Sequence, residues 1–301
     1  MGVSDDSWVD VFEEQRARLF GLAYRMLGSA VEAEDVLQDS FLRWQHANRA
    51  DVVKPSAFLA KMVTNLCLTV LSSARRQREN YVGPWLPEPV LTNDGDLGPL
   101  ETVQQRESVS LGVLALLERL TPPERAVFVL REAFGHSHQE TAGILDIAEA
   151  HSRQLHRRAR QHVGEAEPRF VADDNAHREL VERFLSAITG NDKAGLDRLL
   201  AEDAVSWADG GGQRAARRPI SGRDQVVRYL LGLGTLPEAA AMRTTVSQVN
   251  GAPAVIAWSE GQLRAVMVPE IRYGRVTSVY VVVNTTKLTF VASQSRNAMV
   301  T

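Results

Sequence analysis

The sequence predicts a multidomain protein: two all-α modules, a helical bundle and a helix-turn-helix, followed by an α+β cone. Three observations lead there. At 301 residues the chain is about one domain too long for a single core. Over residues 8–78 and 107–163 the apolar residues recur at helical spacing. From residue 242 four strand-like runs follow one another, separated by Asn250-Gly251, Glu260-Gly261 and Gly274 turns. A hydrophobic fraction of 44% with 24% charged residues is that of a globular protein and excludes wholesale disorder. No window approaches the roughly 18 consecutive apolar residues of a membrane span, and MGVSDDSWVD is acidic where a secretory signal is basic, so a cytoplasmic protein with no membrane partner is expected. The single cysteine, Cys67, excludes an intrachain disulfide and a thiolate metal cluster.

Residues 1–78 read as three helices. The first carries Val11, Leu19, Ala23, Met26 and Leu27 and stops at Gly28. Ser29 with Glu32 makes a capping box for the second, where Val36, Leu37, Phe41 and Trp44 form an apolar stripe opposite Glu34, Asp35, Gln38 and Asp39. Pro55 opens the third, which holds Phe58, Leu59, Met62, Val63, Leu66, Val70 and Leu71 and ends in Arg75, Arg76 and Arg78. Taken alone, this is equally a three-helix bundle with a solvated basic end. Residues 79–106 carry five acidic residues and one basic; their first part, NYVGPWLPEPVLTNDGDLGP, is rich in proline and glycine and reads as a linker. Tyr81, Trp85 and Leu86 are costly to expose there, so the linker is expected to pack on something.

Residues 107–167 form the second module. After a first helix, Thr121, two prolines and Glu124 cap another that runs through Leu130 and stops at Gly135. Ser137 and Glu140 then cap the short helix QETAGIL, a turn passes Asp146 and Ile147, and a last helix runs from about Glu149 to Val163. Helix, tight turn and helix is the shape whose second helix enters the DNA major groove. On that helix Leu155, Ala159 and Val163 face inward, while Arg153, Arg157 and Arg160 face outward with Gln154, Arg158 and Gln161. Arginine's planar fork reads guanine or clamps phosphate, and glutamine pairs with adenine. A solvated arginine face is the bland alternative, and the preceding helix favours DNA. His136 and His138 lack further ligands at zinc spacing, so no metal and no cofactor are expected.

Residues 173–292 open with two helices, pass through the strand DAVSWAD and the turn Gly210, Gly211 and Gly212, and end in the four-strand sheet; residues 293–301 read as a tail. A cone of this kind has a pocket, so an enzyme was weighed against a binding domain. The candidate bases are His177, placed on the first helix, and Asp209, which is more simply the cap of the glycine turn.

Three segments carry a family resemblance. LFGLAYRMLGSAVEAEDVLQDSFLRW resembles the core-binding helices of bacterial extracytoplasmic function (group four) RNA polymerase sigma factors, and PSAFLAKMVTNLCLTVLSSARRQR resembles their minus-ten region. LERLTPPERAVFVLREAFGHSHQETAGILDIAEAHSRQLHRRARQHV resembles their minus-thirty-five reader, with Ser152 where the family often has valine and Ala148 where it usually has a capping residue. The resemblance implies that Asp35, Gln38 and Asp39 bind core polymerase. It further implies minus-ten contacts from Asn48, Arg49, Lys61, Asn65, Arg75 and Arg76, including capture of the melted non-template strand, and minus-thirty-five contacts from Arg153, Gln154, Arg157, Arg158 and Arg160. A net charge of -3 fits a protein that binds DNA only inside polymerase.

The last segment is similar to the SnoaL-like branch of the NTF2-like fold, and the whole chain to the sigma subgroup that carries such a domain. The matching points are YVGPWLPEP, DGGGQ with Gln213 in place of lysine, and NTTKL with Thr285 and Thr286 in place of Pro-Asp. This implies a promoter-specificity subunit, not an enzyme, regulated in cis through Tyr81, Trp85, Leu86, Asp209, Gly210, Gly211, Gly212, Asn284, Lys287 and Leu288, with room for a small-molecule ligand in the cone. The competing readings are a helix-turn-helix regulator with a ligand-sensing domain and, third, a SnoaL-like isomerase or cyclase with a DNA-binding appendage. The first module separates them, because a simple repressor has no use for an acidic-shouldered helix pair and a strand-opening helix.

Overall fold

In a computed structural model that describes residues 5–48, 52–78, 81–92, 97, 108–163 and 174–297, the chain forms two compact units. The first takes residues 1–79, 94–109 and 113–166, and the second takes 80–93, 110–112 and 167–301. The stretch 79–106 is therefore not one free linker: its first part belongs to the second unit, because Leu86, Val90 and Leu91 are buried there.

The first unit begins with α1 (Asp5–Leu27), α2 (Ala30–Gln45) and α3 (Pro55–Arg78). Gly28, at φ +68°, turns the chain between α1 and α2, and the Ser29 hydroxyl accepts the Glu32 N–H at 3.1 Å. Trp44, fully buried, stacks on Trp8 with ring centroids 3.8 Å apart. Each indole N–H donates to the other's backbone carbonyl, at 2.9 and 2.7 Å, so both polar edges are satisfied inside the bundle. By length and mean hydropathy one helix segment, Pro55–Ser73, could cross a membrane, although polar residues such as Lys61 and Asn65 interrupt it. Its stripe of Leu59, Val63 and Cys67 is instead fully buried, with α3 packed on α1 and α2. Burial likewise pushes the Cys67 thiol pKa far up and leaves it unreactive.

Next come α4 (Leu111–Leu117), α5 (Pro122–Phe128), α6 (His138–Leu145) and α7 (Glu149–Val163). The Glu124 carboxylate accepts from both the N–H and the hydroxyl of Thr121, at 3.0 and 2.8 Å, as a capping pair does. The helix expected to continue to Gly135 changes character: Val129–Ala133 is a π-helical turn, a departure that hydrophobic spacing does not reveal. Within this unit α3 also packs on α5 and α6, so the two helical modules share a core.

The second unit has α8 (Asp174–Thr189), α9 (Lys193–Leu199), β1 (Leu200–Asp209), β2 (Ile220–Ser221), α10 (Arg223–Gly234), α11 (Pro237–Ala240), β3 (Arg243–Val249), β4 (Ala252–Ser259), β5 (Gln262–Arg272), β6 (Arg275–Val282) and α12 (Thr289–Asn297). The sheet order is β2-β1-β6-β5-β4-β3, with β1 parallel to β6 and the remaining pairs antiparallel. Each hairpin turn places two residues at positive φ, Asn250-Gly251, Glu260-Gly261 and Tyr273-Gly274, which matches the right-handed strand twist. Strand alternation sends side chains to two cores. One, with Phe184, Leu196, Val226, Leu230 and Val279, lies under α8, α9 and α10. The other, with Ile256, Val266, Val268 and Val282, is covered by Leu86 and Leu91 of the linker and by Leu288 and Val291. Residues read as a tail from 293 are thus partly helix α12, whose apolar face the second core requires.

Trp44→Ala removes the largest fully buried side chain of the bundle. It is expected to destabilise the first unit by about 3–5 kcal/mol, read as a lower midpoint in urea by tryptophan-independent circular dichroism.

Candidate functional site

The helix-turn-helix is built from local signals. The Ser137 hydroxyl accepts the Glu140 N–H at 3.1 Å and Glu140 answers with a bond from the Ser137 N–H at 2.7 Å, fixing the start of α6. Asp146, at φ +53°, ends it in the left-handed conformation and turns the chain into α7. Ser152, Leu155, Ala159 and Val163 are buried, so the opposite face must be the solvent face. Arg153, Gln154, Arg157, Arg158 and Arg160 are all exposed there, and the first four line a groove of about 420 Å3 with Gln161. Arg153 also pairs with Glu149, one turn back.

Ser152 stays buried because its hydroxyl meets His138 Nδ1 at 3.1 Å. The His138 ring lies edge-on to His156, at 5.4 Å, and His156 Nε2 meets Glu132 Oε1 at 2.7 Å. Desolvation and then Arg131 and Arg153 pull the His138 pKa down, which keeps it neutral beside the arginine face. Among the described residues no three His, Cys, Asp or Glu side chains form a metal-holding group.

On α2, Asp35, Gln38 and Asp39 are exposed opposite buried Val36, Leu37, Ser40 and Trp44. Val31 and Leu42, 43% and 50% exposed, extend the same face at both ends. Sequence reading stopped at the acidic three, although helical spacing already places 31, 35, 38, 39 and 42 on one stripe. The result is a polar patch with an apolar residue at each end.

The minus-ten candidates divide. Asn65 is exposed on α3 and Asn48 is exposed just beyond α2, while Arg49 and the side chains of Arg75 and Arg76 lie outside the described residues. Lys61 is engaged elsewhere: its Nζ lies 2.6 Å from Asp146 Oδ1 and 3.4 Å from the Gly143 carbonyl, both in the helix-turn-helix. A lysine expected on a nucleic-acid track therefore closes the two helical modules on each other. Both partners are solvent-exposed, so such a pair holds by only about 0–1 kcal/mol.

In the second unit Tyr81, Leu86 and Lys287 meet at the Asp209 carboxylate, with Asn284 and Trp85 behind them. Asp209, at the end of β1, is fully buried. The Tyr81 hydroxyl donates to its Oδ1, and the Leu86 N–H and Lys287 Nζ donate to its Oδ2, each at 2.8 Å. Lys287 Nζ also donates to the Leu86 carbonyl at 2.5 Å and lies 3.8 Å from the Trp85 ring centroid. Burial, then the bond to Asp209, push the Tyr81 phenol pKa well up, so it stays a donor. Asn284 Nδ2 donates to the Tyr81 oxygen at 2.8 Å, and its Oδ1 accepts from the Thr286 N–H and hydroxyl at 3.1 and 2.7 Å. Gly211 is required twice over: its φ is +54°, and a Cβ there would lie 2.2 Å from Asn284 Nδ2. A Cβ on Gly210 would lie 2.7 Å from the Gln213 carbonyl, Gly212 sits at φ +93°, and Leu288 packs with Leu86. Gln213 Nε2 reaches Thr285 Oγ1 at 3.3 Å, so the two departures from the subgroup's motifs meet each other.

The reading of Asp209 as the cap of its glycine turn is corrected: its oxygens serve the linker, because a buried carboxylate needs more donors than that turn supplies. His177, the other candidate base, is half-buried on α8. A cleft of about 220 Å3 lies beside the second core among Trp258, Leu263, Leu288 and Ala292.

Lys287→Met leaves Asp209 buried beside no cation. Loss of one partner of a buried pair is expected to cost about 3–5 kcal/mol, seen as a lower melting temperature and faster proteolysis near Trp85.

The chain is similar to known proteins. The Sigma-70 region 2 model matches residues 11–77 and the Sigma-70, region 4 model matches residues 110–163. The chain is 38% identical over 228 residues to the ECF RNA polymerase sigma factor SigJ of Mycobacterium tuberculosis, covering 75% of this chain and 72% of that protein. It is 32% identical over 282 residues to the probable ECF RNA polymerase sigma factor SigI of the same species, covering 91% and 92%. The crystal structure of the M. tuberculosis extracytoplasmic function sigma factor SigJ aligns with a TM-score of 0.74 at 31% identity, over 94% of this chain and 98% of that one.

Proposed function

The chain belongs to the extracytoplasmic function family of RNA polymerase sigma factors, and from that premise we propose how its surfaces divide the work of promoter recognition. The α7 arginine face reads the upstream promoter element in duplex DNA. The α2 stripe of Asp35, Gln38 and Asp39, with Val31 and Leu42 at its ends, docks on core polymerase. Asn65 and the chain after α2, with Asn48, meet the opened minus-ten strand, where bases released from the stack offer polar edges to a small pocket. Lys61 joins them only after it leaves Asp146, so promoter binding competes with this surface pair between the two helical modules. A phosphate is a competent rival for a lysine held by an exposed ion pair.

The C-terminal domain regulates the chain in cis by holding the linker through Asp209 and Lys287. The observation that carries the promoter reading is the capped helix-turn-helix with every arginine of its second helix on the exposed face. The control reading rests on the buried Asp209–Lys287 pair closing on Tyr81 and Leu86.

Transcription in vitro with purified core polymerase tests this. The full chain is expected to give promoter-dependent transcripts and to bind free duplex weakly. Tight duplex binding alone with no transcript would instead identify an autonomous helix-turn-helix regulator. Alanine at a base-reading arginine among Arg153, Arg157 and Arg160 is expected to cost about 1–3 kcal/mol and relax one base preference, whereas loss of a phosphate contact weakens all sequences alike.

Charge reversal at Asp35 and Asp39 is expected to abolish co-purification with core polymerase while the circular dichroism spectrum stays native. Leu42→Ala, outside the buried stripe, is expected to weaken the same association by a smaller factor. Wild-type yield from both would refute the docking face.

A further inference from the structure

The linker is gripped a second time, outside the motifs that resemblance pointed to. Past Pro89 it runs beside the end of β3. Leu91 forms an antiparallel bridge with Val249, and the Thr92 N–H donates to the Gln248 carbonyl at 3.1 Å. Two carboxamides complete the contact. Asn250 Oδ1 accepts from the Val90 N–H at 3.1 Å, and the Asn250 N–H donates to the Val90 carbonyl at 2.9 Å. Gln294, on α12, accepts from the Leu91 N–H at 2.9 Å through Oε1 and donates to the Leu91 carbonyl at 3.3 Å through Nε2.

Every main-chain polar group of Val90 and Leu91 is thereby paired, in a site where both residues and both carboxamides are buried. Buried main chain without partners is costly, so these four bonds decide whether the linker can lie there at all. Their pattern is that of strand addition at a sheet edge, in which hydrogen bonds to the main chain give grip and apolar pockets select the side chains. Here Leu91 enters the second core beside Val249 and Val291.

We propose that Asn250 and Gln294 form a main-chain latch for an extended apolar peptide, occupied by residues 90–92 of this chain, and that α12 is the element that closes it. The latch is separate from the Asp209 clasp. It holds Val90 and Leu91 by main-chain bonds alone, where the clasp also holds the side chains of Tyr81 and Trp85, and it uses the end of β3 and helix α12 where the clasp uses the end of β1 and the turn before α12. Gln294 is a positioning residue: it fixes the register of the linker on the sheet edge. This rests on the reading that the C-terminal domain controls the protein by holding the linker.

Gln294→Met keeps the length and apolar packing of the side chain and removes both of its hydrogen bonds. In the full chain, hydrogen exchange followed by mass spectrometry or NMR is expected to show the Leu91 amide exchanging about tenfold faster, the scale of one lost net hydrogen bond. The Leu86 amide and the paired amides of β5 and β6 are expected to keep wild-type rates. Lys287→Met is expected to do the reverse, freeing Leu86 and sparing Leu91. Promoter-dependent transcription is expected to shift in the same direction for both variants. Unchanged exchange at Leu91, or equal acceleration across β5 and β6, overturns the latch. Faster exchange at Leu91 with wild-type transcription from both variants leaves the latch standing and removes the control reading on which its function rests.

Discussion

The second unit depends on a carboxylate that has no contact with water. Asp209 ends β1 inside the fold, and a bare buried charge there would cost more than the domain's net stability. Its compensation comes from far along the chain: Lys287 from beyond β6, and Tyr81 and Leu86 from the linker. The linker is therefore part of the domain's electrostatic balance. The glycines that follow Asp209 belong to the same constraint, since Asn284 reaches Tyr81 only because Gly211 leaves its place open.

A buried ion pair specifies an arrangement more than it stabilises one. An apolar linker could slide over an apolar sheet with little change in energy. One that must bring a phenol and a main-chain N–H to two carboxylate oxygens cannot. The carboxamides at Asn250 and Gln294 act in the same sense a few residues on, and together the two contacts leave the stretch from Tyr81 to Thr92 one register.

The first unit holds buried charges too, Arg125 with Glu118 among them, but one of its inter-module contacts lies at the surface. Its two helical modules share a core through α3, and the ion pair between them, Lys61 with Asp146, is exposed and cheap to break. The net charge is -3, and the four arginines of α7 all lie on its exposed face.

The sequence by itself determined whatever is local. Helical spacing, the capping boxes at Ser137 and Thr121, the Asn-Gly and Glu-Gly turns and the outward arginines of α7 each depend on residues within about one or two turns. The same spacing contained Val31 and Leu42, which a search for charge passed over. The contact residues around Asp209 were legible only through resemblance, since no local rule joins Tyr81 to a residue 128 positions away. Only the tertiary structure decided that Lys61 meets Asp146, that Asp209 serves the linker and not its own turn, and that the supposed tail supplies Gln294. In each case the partner of a polar group is chosen by burial, and burial exists only once distant segments have packed.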